Sequence, residues 1–173
     1  MCAVGQSITT ITPVAVARYI AAVANGGYVY DLRLVDSIIS PDGEVISQSS
    51  PILASQNEHP DIGLYYERIR QGMYGVTEAE GTATKFFSGT DLGKQIAAKT
   101  GTAEKTKIDL ENNAWMVAFA PFENPEIAIC VYIPHGYSGA YCSITIREIV
   151  EYYLAHRSLG GDDLIAPSNS LAY

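Results

Sequence analysis

Residues 99–105 read K-T-G-T-A-E-K and follow the apolar-leaning stretch G-K-Q-I-A-A. Lys99 carries a positive charge, Thr100 and Thr102 carry hydroxyls that both donate and accept, and Gly101 between them has no side chain. Such a quartet is either an ordinary strand end or one wall of a serine acyl-transfer site, where charge that develops on oxygen needs fixed donors. Short runs of this kind recur by chance, so the surrounding chain has to decide between the two.

The other residues able to do chemistry are scattered. His59, His135 and His156 have no spacing typical of metal ligands and read as surface histidines. Cys2, Cys130 and Cys142 form no C-x-x-C and leave one over from any pairing, so free and mostly buried thiols are expected. The residues call for no metal and no cofactor. Trp115, the sole tryptophan, lies in an alternating apolar run and reads as a packing anchor. His135-Gly136-Tyr137 follows the last strand candidate, which suits the mouth of any site there; Tyr137 and Tyr141 read at least as well as packing or solvated residues as they do as site residues.

Length and charge narrow the function classes. A chain of 173 residues fits one domain with a real core, and 47% hydrophobic with 17% charged residues is a globular composition. A formal charge of −8 argues against nucleic acid, whose phosphates need clustered cations. No run approaches the roughly 20 apolar residues that span a bilayer, and M-C-A-V-G-Q-S-I-T-T lacks the basic and apolar regions of a signal peptide. The chain itself is expected to be soluble.

The elements that must position the quartet are legible. Thr12 as N-cap, Pro13 at the first helical position and Asn25-Gly26-Gly27 as the stop predict a helix, with Val16, Tyr19, Ile20 and Val23 on its buried face. Two strands flank Pro41-Asp42-Gly43 as a hairpin, and residues 47–61 read as a polar surface connection. Residues 62–76 look helical through Tyr65, Ile69 and Met73, and a short helix covers A-T-K-F-F. Residues 95–102, 113–120 and 127–133 are three strands of an antiparallel meander. A last helix places Ile146, Ile149, Val150 and Tyr153 on one face to cover that sheet. The tail over 158–173, with Asp162-Asp163, reads as solvated and partly disordered. The fold class is α+β, an antiparallel sheet with helices packed on it.

Beyond the quartet, G-Q-S-I-T-T-I-T-P-V-A-V-A-R-Y-I-A-A-V-A-N-G-G resembles the Gly-Gln segment and Thr-Pro helix of penicillin-binding protein transpeptidase domains, the high-molecular-mass class B enzymes above all. E-G-T-A-T-K-F-F resembles the Gly-Thr-Ala segment that precedes the family's K-[ST]-G strand, and N-A-W-M-V-A-F-A-P-F-E-N-P-E-I-A-I-C-V-Y-I resembles the two strands after it. The resemblance runs from about Gly5 to about Leu154 in the family's order, a coincidence that short motifs do not produce. It implies that residues 1–157 are the C-terminal portion of a transpeptidase domain, followed by a tail.

The resemblance also assigns roles. Lys99 and Thr102 would be catalytic, Lys99 as a positive field and the Thr102 N–H as one oxyanion donor; Thr100, Gly101 and Thr102 would bind substrate. The two hydroxyls would meet a terminal carboxylate, and Gly101 would let the substrate backbone lie against the strand. The implied ligands are peptidoglycan stem peptides ending in D-Ala-D-Ala and the β-lactams that mimic them. The parent protein would be anchored in the bacterial cell membrane with this domain outside the cytoplasm.

The family's nucleophile, the serine of S-x-x-K, is missing: no S-x-x-K occurs in the chain. Thr82-Ala83-Thr84-Lys85 and Thr102-Ala103-Glu104-Lys105 have the spacing, but threonine is the poorer acyl acceptor and neither stands where the family has its nucleophile. Ser55-Gln56-Asn57 spells S-x-N after the Gly-Gln segment, whereas the family's motif precedes it, so it is a decoy in a loop. The expected function is therefore a share in a D,D-transpeptidase, with the isolated chain inactive. The competing reading is a non-catalytic or degenerate penicillin-recognition module, and a soluble β-lactamase is a distant third. A truncated sheet would expose apolar surface and an open edge, so self-association is also expected.

Overall fold

The computed structural model describes residues 10–88, 90–104 and 111–157. The tail over 158–173, Cys2 and Lys105 lie outside the described residues. The first helix, α1 (Pro13–Ala24), starts where the sequence places it: Thr12 Oγ1 accepts the N–H of Ala15, Pro13 needs no partner, and Gly26 and Gly27 follow with φ of 84° and 107°. At Gly27 a side chain would also strike the Tyr66 ring, 2.6 Å from an added Cβ.

An extended arm follows, built from two ladders. Strands β1 (Tyr28–Tyr30) and β4 (Leu53–Gln56) pair antiparallel, and within them β2 (Ser37–Ile39) and β3 (Val45–Gln48) form the hairpin around Pro41-Asp42-Gly43. Two expectations change here. The apolar stretch before the turn is two strands rather than one, and the polar connection over 47–61 contains the end of β3 and all of β4. Both β3 and β4 are exposed along their whole length; the turn at Pro41-Asp42-Gly43 marks β3, but no buried face imposes the alternation that would have marked β4 in the sequence. Ser55 and Gln56 accordingly sit in a strand and not in a loop. Arg18 ties the arm to α1, its Nε donating to Tyr30 O at 2.6 Å and its Nη2 meeting Asp31 Oδ1 at 3.1 Å.

Helix α2 (Ile62–Tyr74) and the short α3 (Thr84–Phe87) lead into the sheet of β5 (Ala97–Ala103), β6 (Asn113–Ala120) and β7 (Ile127–Ile133), in the antiparallel order β5-β6-β7. Alternation along β6 divides the core. Ala97 and Phe119 pack with Ile20, Val23, Met73 and Phe122 under α1 and α2. Ala98, Met116 and Ala118 pack with Phe87 and with Ile146 and Val150 of α4 (Cys142–His156) on the other face. The fold is thus α+β, a three-stranded antiparallel sheet between two helical layers. Thr77 pins the turn after α2 to the entry of β5: its buried Oγ1 lies 2.9–3.0 Å from the carbonyls of Tyr74, Gly93 and Ile96.

Tyr19, assigned to the buried face of the first helix, is instead 62% exposed, and Tyr65 and Ile69, whose spacing marks α2, are 46% and 43% exposed. Tyr19 and Ile69 look across a groove between α1, α2 and the sheet that no described residue fills, so their apolar stripe has no partner. Ile149 lies at the rim of the face that Ile146 and Val150 bury.

Candidate functional site

The quartet occupies β5, which pairs with β6 along one edge and, among the described residues, has no strand along the other. The register sets Lys99 opposite Val117, Thr100 opposite Met116, Gly101 opposite Trp115 and Thr102 opposite Ala114. Alternation then separates the side chains. Lys99 falls on the α1–α2 face, where it lines the groove together with Val117, Val16, Ile20, Ile69 and Met73. The groove encloses about 470 Å³.

Lys99 is exposed, and its Nζ donates to Thr100 O at 2.6 Å. Among the described residues no carboxylate pairs with it. An ammonium with no carboxylate partner among the described residues thus stands at the wall of an otherwise apolar groove.

Both threonine hydroxyls are held. Thr100 Oγ1 lies 3.1 Å from Thr82 Oγ1, and Thr102 Oγ1 accepts the N–H of Gly139 at 3.1 Å. Thr102 is exposed and Thr100 and Gly101 are half-buried. An added Cβ at Gly101 would stand 3.3 Å from Trp115 Cβ, so close cross-strand packing is one reason for glycine there.

Trp115 packs on Tyr132 with ring centroids 4.3 Å apart, a cross-strand aromatic pair beside Gly101. Thr82 precedes α3 rather than lying on it, and the Lys85 ammonium sits over the rings of Phe86 and Tyr141 at 4.8 and 5.3 Å, so Thr82-Ala83-Thr84-Lys85 does not form a helical nucleophile–base pair. His135 and Tyr137 lie in the turn after β7, which runs directly into the residue that touches Thr102. Cys130 and Cys142 are free, and burial pushes both thiols above their usual pKa. Among the described residues no cluster of metal-ligating side chains occurs, and no helix is long and apolar enough to cross a membrane.

Sequence reasoning missed two partners of the quartet. Thr82 stands out in the sequence through Gly-Thr-Ala and through the S-x-x-K-like Thr82-Ala83-Thr84-Lys85, and neither shows that its hydroxyl meets Thr100. Gly139 stands in an unremarked S-G-A-Y and reaches β5 across 37 residues of chain.

The family described as "Penicillin binding protein transpeptidase domain" matches residues 1–151. The chain belongs to this family. The peptidoglycan D,D-transpeptidase MrdA of Escherichia coli K12 is 28% identical over 187 residues, spanning 98% of this chain and 28% of that protein. The D,D-transpeptidase PbpA of Mycolicibacterium smegmatis is 32% identical over 139 residues, 79% of this chain and 26% of that one. The structure of penicillin-binding protein A from Mycobacterium tuberculosis as an imipenem acyl-enzyme superposes with a TM-score of 0.72 at 30% identity, over 89% of this chain and 33% of that chain. The chain spans about a quarter of the length of the curated relatives it matches.

Proposed function

We infer that the chain supplies the Lys99-Thr100-Gly101-Thr102 wall of a peptidoglycan D,D-transpeptidase, an enzyme that cross-links stem peptides by serine acyl transfer. The observation that carries this reading is the position of Lys99, a cation without a carboxylate partner among the described residues, on an edge strand and against an apolar groove. In the complete site a serine from S-x-x-K attacks the D-Ala-D-Ala carbonyl or a β-lactam ring. The Thr102 N–H then receives part of the oxyanion's charge, and the Thr100 and Thr102 hydroxyls meet the substrate carboxylate. Residues 1–157 contribute this wall and 158–173 follow as a tail. The complete protein is anchored in the bacterial membrane with the site outside the cytoplasm.

The second reading is a non-catalytic penicillin-recognition module. A chimera separates them. Residues 1–157 replace the matching segment of a family member that retains S-x-x-K and S-x-N, and a fluorescent penicillin reports acylation. Covalent labelling that is lost in Lys99→Ala supports the transpeptidase reading; a folded chimera that never labels supports the module.

A further inference from the structure

We propose that Gly139 is a positioning residue for Thr102: its backbone N–H takes an acceptor site on the Thr102 hydroxyl and so leaves that hydroxyl's one proton for a ligand carboxylate. The proposal rests on the reading of β5 as a carboxylate-binding wall.

The first support is geometric. Gly139 N donates to Thr102 Oγ1 at 3.1 Å. A threonine hydroxyl has one proton and two acceptor sites. With an amide N–H directed at one acceptor site, the hydroxyl proton points away from that amide, and Thr102 is exposed on its other sides.

The second support is the space at position 139. An added Cβ would stand 2.3 Å from Gly101 O, 2.5 Å from Trp115 O and 2.7 Å from Gly101 N. These are backbone atoms of the paired strands and have no room to give, so glycine alone brings the amide this close to β5.

The third support is how the turn is held. His135 and Tyr137 adopt positive φ, 55° and 69°, a conformation that side chains disfavour. Tyr137 N donates to Asn112 O at 3.1 Å and His135 N to Asn113 Oδ1 at 3.3 Å, which fastens the turn to the start of β6. At Gly136 a Cβ would stand 2.7 Å from Ala114 Cβ. Beyond Gly139 the chain enters α4 through Cys142 and Ser143, both buried. The turn is anchored at both ends, and strain of this kind persists where surrounding structure over-determines the backbone.

The test is NMR on the full chain with two readouts. Amide exchange at Gly139 reports the hydrogen bond; titration with N-acetyl-D-alanyl-D-alanine and with its C-terminal amide reports the preference for a carboxylate. Thr102→Val is expected to speed Gly139 exchange about tenfold, and Thr102→Ser to preserve protection. The wild type is expected to prefer the acid to the amide about tenfold, Thr102→Ser to keep that preference, and Thr102→Val and Gly139→Ala to lose it. Unchanged Gly139 exchange in Thr102→Val overturns the proposal whatever the probes do. Exchange as expected with no acid preference in the wild type overturns the carboxylate reading of β5 and leaves Gly139 a packing glycine. If Gly139→Ala fails to fold, the comparison of Thr102→Ser with Thr102→Val decides.

Discussion

Thr82 and Thr100 meet hydroxyl to hydroxyl at 3.1 Å, which joins the Gly-Thr-Ala segment to the strand that carries Lys99. The two are 18 residues apart, and α3 and the entry to β5 lie between them. The contact is exposed, so water competes for both groups. Thr82→Val is expected to cost under about 1 kcal/mol in chemical denaturation, with Thr82→Ser neutral. A loss above about 2 kcal/mol would show that the pair is sealed from solvent.

Lys99 is exposed, and the role proposed for it is electrostatic rather than structural. Lys99→Ala should leave the far-UV spectrum and the unfolding midpoint unchanged. In the chimera it should slow penicillin acylation by about two orders of magnitude or more, as removal of a fixed electrostatic partner does elsewhere. Equal acylation rates for the two would remove Lys99 from the site.

Incubated alone with a penicillin, the chain should show no added mass by intact-mass spectrometry, because S-x-x-K is absent and Lys85 is held over Phe86 and Tyr141. A stoichiometric adduct that survives denaturation would reveal a nucleophile that neither Thr82 nor Thr102 was expected to be.

Thr77→Val removes the one hydroxyl that serves the carbonyls gathered at the end of α2 and the start of β5. The site is buried, so the carbonyls gain no water in exchange. The expected loss is about 1–3 kcal/mol by urea unfolding. A neutral result would mean that water enters the gap.

Burial raises the pKa of Cys130 and of Cys142, so the folded chain holds these protons more tightly than the unfolded chain does. Raised folded values give stability that is complete below the unfolded thiol pKa of about 8.5 and is lost as pH climbs from there through the folded values. Urea midpoints should therefore fall above about pH 8.5, and a Cys130→Ala, Cys142→Ala double variant should show a shallower fall. Parallel profiles would place the pH dependence elsewhere.

The arm leaves Leu34, Ile38, Ile39 and Ile46 exposed, and β7 has no strand beyond it among the described residues. Size-exclusion chromatography with light scattering should show a mass that grows with concentration. A clean monomer at high concentration would refute self-association.

The sequence alone determined the elements whose signals are local. Thr12, Pro13 and Asn25-Gly26-Gly27 delimit α1, Pro41-Asp42-Gly43 sets the hairpin, and apolar runs mark β5, β6 and β7, because capping, turn geometry and burial act within a few residues. Motif order carried the family. Polar strands such as β4 stayed hidden, since a strand with no buried face leaves no periodic trace. Tertiary structure decided which face each residue of β5 presents, that Tyr19 and Ile69 border a groove, and that Thr82 and Gly139 hold the two hydroxyls. Those contacts depend on how strands register and how closely a turn approaches a sheet, and distances of that kind exist only once residues far apart in the chain are packed together.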